Sequence, residues 1–193
     1  MKIQYSGGRY NVTTENETEQ NELETLLAEA RKKLPNLKRL WEADIISISN
    51  LSEISELLSN RGSYISNFRQ LLIDGKGIPL AIKNKSNSGR PLDDRSIQAC
   101  MKLLLGAPWE FVLNKEKKWR RETLGGPRDP NVKGSVKRAQ YKATREADMC
   151  LKRARELIER FYDNNPEYFA LFIALSVVGG ETYNKQSTCF IHH

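Results

Sequence analysis

The stretch Tyr168 to Val178, YFALFIALSVV, is about 11 residues long with one polar side chain, Ser176. A helix that apolar all round cannot lie on a wet surface. It is also too short to cross a bilayer, which takes about 20 apolar residues. Such a segment must be enclosed by other helices, in a bundle or an interface. That requirement sets the fold class expected for the rest of the chain.

The remaining apolar residues recur at helical spacing. Leu23, Leu26, Leu27 and Ala30 share one face of a helix from about Glu19 to Leu34, which Pro35 is expected to stop. Leu37, Leu40, Trp41 and Ile45 follow from Asn36, then Leu51, Ile54, Leu57 and Leu58 before Arg61-Gly62. Ile65, Phe68, Leu71 and Leu72 precede Asp74-Gly75, and Asp93, Asp94 and Ser96 supply helix-start chemistry ahead of Ile97, Met101, Leu104 and Leu105. Pro108 opens a further helix. A long helical stretch spans Val132 to Tyr162, with Gly134 and Asp148 as candidate breaks, and Gly179-Gly180 closes the final apolar helix. No strand alternation and no internal repeat is visible.

This pattern predicts an all-α protein of two small helical bundles joined by a short linker. Residues 1–18 read as a flexible arm, 19–124 as the first lobe, 125–130 (GGPRDP) as the linker, 131–186 as the second lobe and 187–193 as a tail. At 193 residues, with 39% apolar and 28% charged side chains, the chain has enough apolar material for a core. The opening residues MKIQYSGGRY contain no apolar run, so no signal peptide is expected.

Charge is unevenly placed. Residues 1–60 hold 7 Lys/Arg against 10 Asp/Glu, whereas residues 115–160 hold 15 against 7. Lys115, Lys117, Lys118, Arg120 and Arg121 crowd around Trp119 beside the linker, and Lys133, Lys137, Arg138, Lys142 and Arg145 follow it. On a helix, Arg138, Lys142 and Arg145 form one row with Lys133 and Lys137 on its flank. No acidic residue interrupts Lys133 to Arg145. A solvated charged face is the ordinary reading of a basic helix, but that gap favours an anionic partner. Anionic lipid and RNA are the two candidates. Trp119 could stack on a base, sit at headgroup level or pack on its own helix.

Other chemistry is sparse. The only histidines are His192 and His193, and Asp93-Asp94 is accounted for by helix capping, so no catalytic set is apparent. Cys100 and Cys150 fall on apolar helix faces as core thiols, and three widely spaced cysteines argue against a disulfide framework. Cys189 with His192 and His193 falls short of the four ligands of a structural zinc site, so neither metal nor cofactor is expected.

The order of these segments resembles the orthomyxovirus matrix proteins, the influenza type included. The resemblance runs through IKNK (82–85), Leu92-Asp93-Asp94 with Ile97 and Gln98, then LLLGAPWEFVLNKEKKWRRE (103–122) and a Gly-containing linker. It continues through Asp129-Pro130-Asn131, the basic VKRAQYKATRE segment (136–146), and LIERFYDNNPEYFALFIALSVV (157–178) with its Asn165-Pro166 turn. It covers Ile82 to Val178, about half the chain. About 40 residues at the start have no counterpart, the family usually carries a further C-terminal helical domain beyond the point where this sequence stops (as expected of a short form or a fragment), and its Cys/His cluster is reduced to Cys189, His192 and His193.

The resemblance implies a non-enzymatic shell protein beneath a viral envelope, on the cytoplasmic face of host membranes and in the host nucleus. It would bind the inner leaflet through a basic surface, polymerise and contact the viral ribonucleoprotein. The family's basic residues correspond to Arg120, Arg121, Lys137, Arg138, Lys142 and Arg145. The alternatives are an RNA-binding nucleocapsid-type protein, and an adaptor whose Tyr168–Val178 helix docks a partner.

Overall fold

The computed structural model describes residues 2–6, 9–58, 61–74, 94–123, 133–183 and 191–192. The body is all-α, built from α1 (Glu17–Glu42), α2 (Leu51–Leu57), α3 (Gly62–Asp74), α4 (Asp94–Leu104), α5 (Trp109–Thr123), α6 (Ser135–Asn164) and α7 (Phe169–Tyr183). One-turn 3₁₀ segments at Ile48–Asn50 and Pro166–Tyr168 lead into α2 and α7.

The apolar 168–178 stretch meets the requirement set by its composition. Leu171, Phe172, Ile173, Ala174, Leu175 and Val178 are buried in the chain's own core. That leaves the adaptor reading without a free apolar helix to dock. α1 packs along α7, while α4 and α5 pack along α6. The pairing answers the expectation of two separate bundles. Helices from both sides of the 125–130 segment interleave, and Leu27, Leu40, Met101, Val112, Leu151 and Ile173 belong to one continuous core. The physical reason lies in helix faces. From Ala143 onward α6 carries a long apolar stripe of Ala143, Ala147, Cys150, Leu151, Ala154, Leu157 and Phe161, longer than α7 alone could cover. Residues 125–130 themselves, the proposed linker, lie outside the described residues.

Three expected helix ends are passed through. α1 continues across Pro35 to Glu42. A proline in a helix interior costs about 3 kcal/mol, but Leu23, Leu26, Leu27 and Ala30 before it and Leu37, Leu40 and Trp41 after it are buried together. That burial outweighs the lost bond. α6 is unbroken at Asp148, and Gly134 is its N-cap, in the left-handed region at φ 85°. α7 passes through Gly179-Gly180 to Tyr183. Gly179 serves packing here, since a Cβ on it would stand 1.9 Å from the Gly106 carbonyl oxygen.

That contact sits at the middle of the molecule. α4 ends in a left-handed Gly106 (φ 84°), whose N–H donates to the Leu103 carbonyl while Ala107 N–H donates to that of Lys102. This is the paired ending that lets a helix stop inside a core with its carbonyls satisfied. The remaining carbonyls are also met: Trp41 Nε1 donates to Leu105 (3.0 Å) and Tyr64 Oη to Leu104 (2.9 Å).

Strands occur within residues 1–18, read from the sequence as a flexible arm with no visible strand alternation. Lys2–Ser6 pairs antiparallel with Arg9–Thr13, and Ile191–His192 adds a short parallel strand at Val12 and Thr13. The register Ser6↔Arg9 leaves two residues between the strands, Gly7-Gly8, which is a hairpin signal in its own right. α1 then starts at Asn16, whose Oδ1 accepts from Glu19 N–H while the Glu19 carboxylate accepts from Glu15 N–H.

Candidate anionic-surface interface

The ten basic residues singled out by sequence divide into two groups with different surroundings. In α5, Glu116 is buried, with 3% of its side chain exposed. Arg95 of α4 reaches its Oε2 through two nitrogens at 2.7 and 2.9 Å. Arg120, one turn on, donates to Oε1 at 2.9 Å and to Glu146 of α6 at 3.1 Å. The Arg120 side chain is only 12% exposed. Its assignment to an outward binding surface is therefore corrected: a buried carboxylate draws it inward, because an unpaired charge at that site would be prohibitive.

Trp119 is held by the same network. The Arg95 guanidinium lies 4.4 Å from its ring and that of Arg120 5.5 Å. Two cations on an aromatic ring are a favourable arrangement once desolvated. The half-buried ring thus packs against cations of its own fold.

Lys115 is also directed inward. Its Nζ donates to the Glu42 carbonyl at the end of α1 and lies 5.8 Å from the Phe111 ring. Lys102, a buried residue not anticipated from sequence, donates to the carbonyls of Ala43 (2.5 Å) and Asp44 (3.4 Å). The two ammonium groups cap the carbonyl end of α1, where cations suit the helix dipole. Burial, with Lys115 and Arg95 nearby, lowers Lys102 to about 8; Asp44 and Glu116 act in the opposite direction. Lys117 is half-buried, whereas Lys118 (78% exposed) and Arg121 face solvent.

In α6 the outcome is reversed. Lys133, just ahead of the helix, and Lys137, Arg138, Lys142 and Arg145 are all exposed. They stand opposite the buried stripe that begins at Ala143. The first acidic residue, Glu146, is turned aside onto Arg120, with Lys142 Nζ at 4.0 Å. The outward surface therefore stays cationic over the first three turns. Tyr141, 70% exposed, sits in the middle of these cations, and Met149, 46% exposed, lies two turns farther along. Neither was singled out by sequence; the signal was their spacing of four from Lys137 and Arg145.

The remaining candidates are accounted for in part. Cys100 and Cys150 are buried thiols, burial pushing the Cys100 thiol well up and Ser96 Oγ donating to Cys150 Sγ at 3.6 Å. Asp94 begins α4, and Asp93 lies outside the described residues. Cys189 and His193 also lie outside them, and of His192 only the backbone is described. Among the described residues no three His, Cys, Asp or Glu gather as a metal site, and no helix is long and apolar enough to cross a membrane.

Compared with protein-family models, curated proteins and solved structures, the chain matches none.

Proposed function

We propose that this protein is a peripheral shell protein of the matrix kind, adsorbing to an anionic membrane leaflet through the outward face of α6. The single observation that carries the reading is the run of exposed cations Lys137, Arg138, Lys142 and Arg145 on one helix, with Lys133 just ahead of it and the nearest carboxylate, Glu146, hydrogen-bonded to Arg120. A flat row of ammonium and guanidinium groups suits a plane of lipid phosphates. Each such group near an anionic bilayer contributes about 1 kcal/mol, so the row together holds a protein reversibly. Arg121 and Lys118 near the end of α5 are exposed cations as well. Self-assembly into a layer and contact with a viral ribonucleoprotein rest on the sequence resemblance, as does a place beneath a viral envelope.

The test replaces Lys137, Arg138, Lys142 and Arg145 by Ser together. Co-sedimentation with vesicles of graded phosphatidylserine content should weaken by up to about 4 kcal/mol at low salt, with the helical fold retained. Unchanged sedimentation would remove the reading. Indifference to anionic lipid combined with tight binding of single-stranded RNA would replace it by the nucleocapsid alternative.

A further inference from the structure

The outward row of α6 is not purely cationic. Lys137, Tyr141, Arg145 and Met149 follow one another at intervals of four, so they form one ridge that turns about 40° per step on the outward side of the helix, rising about 6 Å each time and about 18 Å from end to end. Lys137 and Arg145 are exposed, as are Tyr141 and Met149 at 70% and 46%. Cation, ring, cation and thioether therefore alternate along a ridge that is inclined to the helix axis. Arg138 and Lys142 flank the tyrosine on its other side.

We infer that Tyr141 and Met149 are apolar anchors that enter the headgroup–acyl boundary of an anionic leaflet while the cations between them hold lipid phosphates. This rests on the membrane reading above and specifies how the same face engages. Two physical points support it. An exposed large apolar side chain gains nothing in water, and tyrosine is favoured at the lipid boundary because its body is apolar and its tip polar. Charge alone would be screened away at high salt, whereas buried apolar area would not. A single-stranded nucleic acid would use the tyrosine ring for stacking but has no use for a thioether on the same ridge. The other ring in the basic region, Trp119, lies 4.4 and 5.5 Å from two guanidinium groups of its own fold.

The experiment compares the full chain with Tyr141→Ser, Met149→Ser and the four-residue charge variant, on phosphatidylcholine/phosphatidylserine vesicles. Binding is measured at low salt and at about 0.5 M salt, where the screening length is about 4 Å. Circular dichroism checks that each variant folds. The expected result is a salt-resistant component in the parent protein that Tyr141→Ser weakens about tenfold, the effect of burying much of one large apolar side chain, and Met149→Ser somewhat less. The steepness of the salt dependence should be unchanged in both. Equal binding by parent and Tyr141→Ser at both salts, with binding lost in the charge variant, would overturn the anchor while leaving the membrane reading intact. Vesicle binding unaffected by any variant would remove both. Tyr141→Ser losing affinity for oligouridylate but not for vesicles would overturn the anchor in favour of base stacking.

Discussion

α5 and α6 carry comparable densities of Lys and Arg a few residues apart in sequence, yet they use them in opposite ways. In α5 one buried carboxylate, Glu116, gathers Arg95 and Arg120, and Lys115 turns to the end of α1. Arg120 and Lys115 are thus internal structure, Arg120 bridging α5 and, through Glu146, α6, while Lys118 and Arg121 stay outside. In α6 the carboxylate sits beyond the basic run and to its side, so the cations remain outside. The difference teaches that the position of acids relative to the core stripe, rather than the number of bases, decides whether a basic run is an interface.

The strongest way to break this comparison is Glu116→Gln. It leaves Arg95 without its carboxylate and Arg120 with Glu146 alone in a largely buried site, and breaking such a pair costs about 3–5 kcal/mol. Urea denaturation should show a loss of that order, while vesicle binding by the remaining folded protein stays at the parent level. A neutral result in denaturation would mean the network is solvent-screened surface charge.

A smaller but sharper contrast comes from two adjacent arginines. Arg120→Ala should lower stability by about 2–3 kcal/mol, since it strips a buried carboxylate of a charged hydrogen bond. Vesicle affinity should not change. Arg121→Ala should do the reverse, costing about 1 kcal/mol of vesicle binding and leaving the melting temperature in place. Equal behaviour of the two in either assay would erase the distinction between inward and outward charge.

The smallest signal is a slope with pH. Lys102 titrates near 8 in the folded chain and near 10.5 when unfolded. Below about 8 both states hold the proton, and the full cost of burying the ammonium is present. Between the two values the unfolded state binds more protons, so stability contributed by this residue rises with pH. Denaturation midpoints for Lys102→Met and the parent should therefore converge or cross as pH rises through that window. Parallel curves would show that the amine is not desolvated.

Much of the fold was legible. Helical spacing located each of the described helices, with α1 read as two, and the all-round apolar 168–178 stretch required the enclosure it finds. The misjudged ends have one cause: Pro35 and Gly179 are weak local signals overridden by packing on both sides. The N-terminal hairpin was missed because the Gly7-Gly8 signal sits between short strands with little apolar alternation. Of the ten basic residues proposed, the five around α6 are exposed as expected. Arg120 and Lys115 are not, because their partners, Glu116, Glu146 and the Glu42 carbonyl, come from a neighbouring turn and from other helices. Tyr141 escaped notice because an aromatic at helical spacing is ordinarily core.

By itself the sequence determined the helical class, the enclosure of its last helix and the excess of positive charge after residue 115, since these follow from residue type and spacing along one strand of chain. Only the tertiary structure decided which of those charges face water. That choice depends on where a carboxylate from another helix arrives, and whether it arrives inside or outside the core, and no local pattern carries that information.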